Sequence, residues 1–316
     1  AFYFYNQAGL NDVFYVSGNR NIESSSGGSY QSVSGYYSLP FGYWDYEAFY
    51  STSKSIQNIN LSDVGMLYTG RIQYLELKAS KMLYRDKTRK VSANAKVIKR
   101  KVNYDLSGIN LQLQKRDMTN LRVGVNYKQR FSDAMLDGSL SYQRFLPWLD
   151  SEETPDMLTG DVSKKSHVFI ADADYFKLMN FNKRRFYYNV KAGGQYTPAG
   201  LTLQDQISIG SRWSVRGFEN SKQLEGNSGF YIQNTIAMVT GILNAEWYFG
   251  VDYGQLWSNN YGESRYDYAK LMGVATGVKG NVASAMYNVF VSTPLVYPDT
   301  MPVDNINLNF ELSYHF

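Results

Sequence analysis

The chain has 316 residues with 32 Lys and Arg against 28 Asp and Glu, and the net charge of +4 is too small to argue for nucleic acid. It has no Cys, which excludes disulfide frameworks, thiolate metal sites and thiol catalysis. Aromatic residues are abundant (28 Tyr, 17 Phe, 5 Trp), charged residues make up 19%, and no apolar run approaches the ~20 residues of a membrane helix.

Fifteen strands are expected in chain order, at about residues 1–6, 12–19, 30–40, 44–55, 66–85, 90–106, 114–131, 135–148, 166–180, 185–198, 229–239, 244–258, 269–280, 284–296 and 306–316. The reason is period-two patterning, which puts successive side chains on opposite faces of a strand. In 121–130, Leu121, Val123, Val125 and Tyr127 oppose Arg122, Asn126, Lys128 and Arg130. In 136–143, Leu136, Leu140 and Tyr142 oppose Asp137, Ser139, Ser141 and Gln143. In 169–175, Phe169, Ala171, Ala173 and Tyr175 oppose Asp172 and Asp174, and in 185–192, Phe186, Tyr188, Val190 and Ala192 oppose Tyr187, Asn189 and Lys191. In 244–257, Ala245, Trp247, Phe249, Val251, Tyr253 and Trp257 oppose Asn244, Glu246, Gly250, Asp252 and Gly254. The last segment is the most regular. Ile306, Leu308, Phe310, Leu312, Tyr314 and Phe316 alternate with Asn307, Asn309, Glu311, Ser313 and His315.

Charges of both signs on the second face exclude a dry sandwich core, where unpaired charge is costly. No strongly amphipathic helix is present to cover the first face. A transmembrane antiparallel up-and-down β-barrel fits both facts, with lipid outside and water inside. Its polar lining explains a mean hydropathy of −0.39. Short connections at 39–44, 85–90, 131–134 and 180–185 read as periplasmic turns. Longer ones at 149–165, 259–268 and about 199–228 read as outer loops. Single-chain bacterial barrels have even strand counts, so fifteen predicts either a first strand missing before Ala1 or a miscounted hairpin. No leader peptide is visible, and the chain reads as a mature or truncated piece. No linker divides it, so residues 1–316 are expected to be one barrel domain.

The segment IGSRWSVRGFENSKQLEGNSGFY, 209–231, resembles the VRGF/VRGY loop of polypeptide-transporting outer-membrane barrels. AGLNDVF (8–14), YSLPFGYWDYE (37–47) and WYFGVDYG (247–254) extend that likeness over the whole chain, and the chain ends on an aromatic residue as such barrels do. It is most similar to the two-partner secretion transporters of the hemolysin secretion and activation group. The resemblance implies a 16-stranded barrel and carries the loop motif onto Val215, Arg216, Gly217 and Phe218. It carries the strand motif onto Phe249 and Asp252, and the terminal barrel signal onto Tyr314 and Phe316. Such proteins also have a plug helix and two periplasmic polypeptide-transport-associated domains, neither of which is matched here. The implied partners are a secreted exoprotein (adhesin, cytolysin or contact-dependent inhibition toxin), membrane lipid including outer-leaflet lipopolysaccharide, and the barrel-assembly machinery during biogenesis. A monomer with no cofactor, metal or catalytic role is expected.

The residue chemistry agrees in outline. Asp252 and Glu246 share the polar face by alternation, and Arg216 lies beside a glycine that permits a sharp turn. If the loop folds inward, the guanidinium can grip the carboxylate with two prongs. In a wet lumen such a pair is expected to fall short of the ~3–5 kcal/mol loss that follows breaking a buried one. Free of the resemblance, spacing alone favours an exposed loop cation and a solvated carboxylate. His167 and His315 have no ligand-spaced partner, and GNSG (226–229) lacks the strand–loop–helix setting of a phosphate cradle. KVIKRKV (96–102) reads as a strand end or a patch for anionic lipid headgroups, and Asp172 with Asp174 as polar lining. A barrel-assembly factor is the alternative function, followed by a diffusion porin, a lipase-like barrel and a soluble sugar-binding sandwich.

Overall fold

Alternation over long stretches and the near absence of helix-period segments drive this chain into strands. The computed structural model describes residues 1–21, 28–61, 64–160, 162–219, 222–240, 245–259, 266–282 and 284–314; Asn244, His315 and Phe316 lie outside them. The strands are β1 (Phe2–Tyr5), β2 (Val13–Arg20), β3 (Ser29–Phe41), β4 (Trp44–Leu61), β5 (Val64–Arg85) and β6 (Arg89–Leu106). Then come β7 (Ile109–Asn110), β8 (Arg116–Arg130), β9 (Ala134–Leu146), β10 (His167–Phe181), β11 (Arg184–Tyr196) and β12 (Ile207–Ile209). The last are β13 (Leu224–Gly226), β14 (Ser228–Val239), β15 (Glu246–Asn259), β16 (Tyr266–Val282), β17 (Ala285–Val296) and β18 (Asn307–Tyr314). One five-residue helix, α1 (Pro155–Thr159), sits in the connection between β9 and β10, a turn that alternation could not reveal.

The main sheet runs β1-β2-β3-β4-β5-β6-β8-β9-β10-β11-β14-β15-β16-β17-β18, with β7 beside β6. Its fifteen-strand meander matches the fifteen expected segments one for one. β12 and β13 form a separate two-stranded sheet. Tight turns join alternate strand ends. Between β10 and β11 the two loop residues Asn182 (φ 46°) and Lys183 (φ 62°) are both left-handed, the geometry whose twist matches a hairpin.

The chain divides into two units. The first holds residues 1–85, 91–125 and 141–167. Within it the β4–β5 register places Tyr46 opposite Ala79, Ala48 opposite Leu77 and Tyr50 opposite Leu75, an apolar face. The reverse face pairs Glu47 with Lys78, whose Nζ–Oε1 distance is 2.7 Å. On that face Lys96 approaches Glu76 at 3.3 Å and the Arg122 Nε donates to Gln143 Oε1 at 2.8 Å.

The second unit holds residues 86–90, 126–140 and 168–316. Along β15 its apolar face carries Trp247, Phe249, Val251 and Tyr253, while Glu246, Tyr248, Gly250 and Asp252 lie behind. Tyr187 donates to Glu246 at 2.7 Å, Lys279 stands 3.5 Å from the same carboxylate, and Asn189 donates to Asp174 at 2.6 Å. The largest buried apolar cluster of this unit lies where the β11–β14 connection meets the polar face: Ile209, Val215, Phe218, Leu256, Leu271 and Met301.

Candidate functional site: a loop pinned to the polar face

The β11–β14 connection holds the VRGF segment, and its backbone is shaped for close approach. Gly210 (φ 97°) and Gly217 (φ 112°) bracket the tip in the left-handed region that a side chain disfavours. Between them Ser214 N donates to Ser211 O at 3.1 Å, closing a turn. The β12–β13 hairpin, with Ile207 opposite Gly226 and Ile209 opposite Leu224, forms the stem. At its base Leu201 N donates to the Asn227 side-chain oxygen at 2.9 Å and Thr197 N to Ser228 Oγ at 2.9 Å, both buried.

The tip rests on glycines. A Cβ at Gly273 would collide with the Arg216 carbonyl, and one at Gly250 with the Arg216 guanidinium. One at Gly254 would lie 2.8 Å from Val215 Cγ2, and one at Gly217 would lie 2.7 Å from the Thr293 carbonyl. β16 opposes Gly273 to Asp252 and Ala275 to Gly250, so small residues on two neighbouring strands form one shallow bed.

Arg216 fills that bed. Its Nε donates to Asp252 Oδ2 at 2.6 Å, its Nη2 to Oδ1 at 2.7 Å, and its backbone N–H to Oδ2 at 2.9 Å. Nη2 also donates to Asn234 O and Thr235 Oγ1, each at 3.0 Å, and Asn234 N–H completes the carboxylate at 3.2 Å. Asp252 is fully buried and Arg216 is 7% exposed. A solvated pair was the expectation; the bed of glycines and the apolar cluster exclude water instead. Charges this deep need hydrogen-bond partners; here the carboxylate accepts four bonds and the guanidinium donates through Nε and Nη2.

A second set of contacts ties the tip to the last two strands. Asn307 Nδ2 donates to Gly217 O at 2.8 Å, Arg212 lies 3.6 Å from Glu311, and Phe218 meets Tyr297 edge-on with centroids 6.4 Å apart. The β16–β17 register shifts between Met272 and Gly273, which pair with Val296 and Pro294. Such a bulge re-aims the strand where the tip lands.

The motif residues therefore separate. Val215, Arg216, Gly217, Phe218 and Asp252 come together. Phe249 lies on the opposite, apolar face and is 40% exposed. Tyr314 pairs with Ala285 on β18 and is also exposed. Sequence reasoning missed Asn234, Thr235, Gly250, Gly273 and Asn307. A signal for the bed did exist: glycines at 250, 254 and 273, and leucines at 256 and 271, interrupt the polar alternation. Outside the main sheet, burial in the stem holds the Glu225 carboxyl above its ordinary range.

An antiparallel meander with one apolar and one charged face, carrying a long loop pinned to the charged face, has the fold of the outer-membrane β-barrels. The chain matches the haemolysin secretion/activation protein ShlB/FhaC/HecB family over residues 1–280 and belongs to that family, whose members are outer-membrane proteins. It is 27% identical over 317 residues to the outer membrane transporter CdiB-2 of Burkholderia pseudomallei (strain 1026b), covering 98% of this chain and 54% of that protein. It is 22% identical over 312 residues to the hemolysin transporter protein ShlB of Serratia marcescens, covering 98% and 55%. Among solved structures, CdiB from Escherichia coli superposes with a TM-score of 0.88 at 25% identity, covering 98% of this chain and 57% of that one. CdiB from Acinetobacter baumannii gives 0.84 at 25%, covering 98% and 55%. The chain thus spans about half the length of the relatives it matches.

Proposed function

We propose that residues 1–316 are the barrel domain of an outer-membrane exporter that passes a large partner exoprotein, an adhesin, cytolysin or toxin, in extended form. The pinned loop is the observation that carries this reading. It occupies the polar, pore-facing side and is held by side-chain contacts, the Arg216–Asp252 pair foremost, that can be undone without breaking the main sheet. The mixed-sign lining, with Asp172, Asp174, Lys191, Glu246 and Lys279, offers a passing backbone hydrogen bonds and no continuous sticky surface. Folding of the exported chain outside the cell would supply the drive. The barrel acts as a monomer and engages lipid and, during biogenesis, the assembly machinery.

The test uses the full-length protein with its cognate exoprotein. Arg216→Ala and Asp252→Ala should each lower export at equal barrel abundance; normal export in both removes the lock. If cells lacking the protein lose many barrels and not one secreted product, barrel assembly replaces export as the function.

A further inference from the structure

The apolar face of the first unit carries charges where lipid is expected, and cations outnumber carboxylates there. Lys54 on β4 stands directly opposite Arg71 on β5. Parity puts both on the face of Tyr46, Ala48, Leu75 and Leu77. Like charges so placed repel, because opposed side chains start only ~5 Å apart. On its other side Lys54 faces Gln31, which is neutral, and among the described residues neither cation makes an ion pair. On β6 the same face presents Lys99 and Lys101, and both reach a single carboxylate, Asp117, the second at 3.2 Å. Asp105, four residues further toward the loops, accepts from Asn110. Lys99 is buried and also donates to Leu149 O and Ser151 Oγ, so the patch holds four cations, three of them open to a ligand, against two carboxylates, Asp117 and Asp105.

Its height is set by the strands. Arg71 lies fourteen residues before the end of β5 at Arg85, and Lys101 twelve after the start of β6 at Arg89. At about 3.3 Å per residue that is roughly 40–46 Å from the tight turn. A tilt of about 45° reduces it to roughly 28–33 Å, just beyond the ~25 Å apolar band of such barrels. The tight turns mark the periplasmic side, so the cations stand at the outer-leaflet headgroup level. Toward the turn, six residues past Arg71 along β5, begins an apolar groove of about 420 Å³ that includes Leu39, Tyr46, Ala48, Leu77, Ala79 and Val97. One leaflet of hydrocarbon is ~15 Å deep, so an acyl chain hung from the cations reaches it.

The geometry points to a binding site for a phosphate-bearing outer-leaflet lipid. Its phosphate bridges Lys54 and Arg71, with Lys101 beside it, and one acyl chain lies in the groove. Arg71 supplies the planar fork that suits phosphate, and the bound anion relieves the Lys54–Arg71 repulsion. The site depends on the outer-membrane location and not on the export reading, so an export assay and a lipid assay fail separately.

The test is native mass spectrometry of the purified full-length protein with diphosphoryl lipid A as probe, with folding checked by heat-modifiable gel migration. The wild type and Lys191→Gln, a control on the polar face of the second unit, should retain lipid A. Lys54→Gln/Arg71→Gln should retain at least tenfold less. Ala48→Trp, which fills the groove and leaves every charge in place, should also weaken retention and keeps the proposal testable should the charge variant not fold. Equal retention in all variants would overturn the site. So would equal binding of dephosphorylated lipid A, or displacement of lipid A by equimolar inorganic phosphate, which would show that no lipid-specific contact exists.

Discussion

Asp252 accepts four hydrogen bonds, three of them from one arginine, in a place water does not reach. Removing either partner strands the other, so Arg216→Ala or Asp252→Ala should each destabilise by about 3–5 kcal/mol, read as a shift of the urea unfolding midpoint in detergent. The double variant should cost less than the sum, because no charge is then left unpaired. Gly273 tests the same contact from below. With Arg216 and Asp252 intact, Gly273→Ala should lift the tip off the wall, since the intruding methyl meets backbone and not a yielding side chain. The expected readout is faster proteolysis at the loop tip and a larger single-channel conductance. Unchanged protection would mean that the bed is not needed for docking.

At the level of the element, the β12–β13 stem carries its own titration. Burial raises the Glu225 carboxyl, so the docked hairpin binds a proton more tightly than the free one. Its contribution to docking is therefore complete below the ordinary carboxylate value and is lost as pH climbs through the raised one. Protection of the stem from protease should fall as pH rises above the ordinary carboxylate range. Glu225→Gln should flatten that profile, and a slope that persists would assign the titration to another group. The stem also explains why a connection this long holds one conformation. Leu201 and Ile209 bury their side chains, the Asn227 side chain accepts from Leu201 N–H, and Gln195 donates to the Asp205 and Asn227 carbonyls, backbone groups that a bare loop would leave open.

For the whole molecule the decisive property is two-sidedness, which on β18 can be tested one residue apart. Phe310 lies on the apolar face opposite Val289, and Asn309 on the polar face opposite Phe290. Phe310→Arg should cost roughly 2 kcal/mol in lipid vesicles, because Val289 is only four residues from the turn and charge penalties fall toward the rim. Asn309→Arg should fold near wild-type stability, and a similar loss in both would contradict the assignment of faces. Alternation located the fifteen strands of the meander and their facing, though not the short β7, β12 and β13, because period two is a local property that register cannot change without exposing every apolar side chain at once. Alternation gave only the face of Asp252; the family resemblance supplied Arg216 and Asp252 as a pair, 36 residues apart in sequence. Only the tertiary structure decided that they meet without water, that Phe249 stays outside and that Asn234, Gly250, Gly273 and Asn307 complete the seat. Burial depends on which distant segments stack on a strand face, and no period within one strand records that.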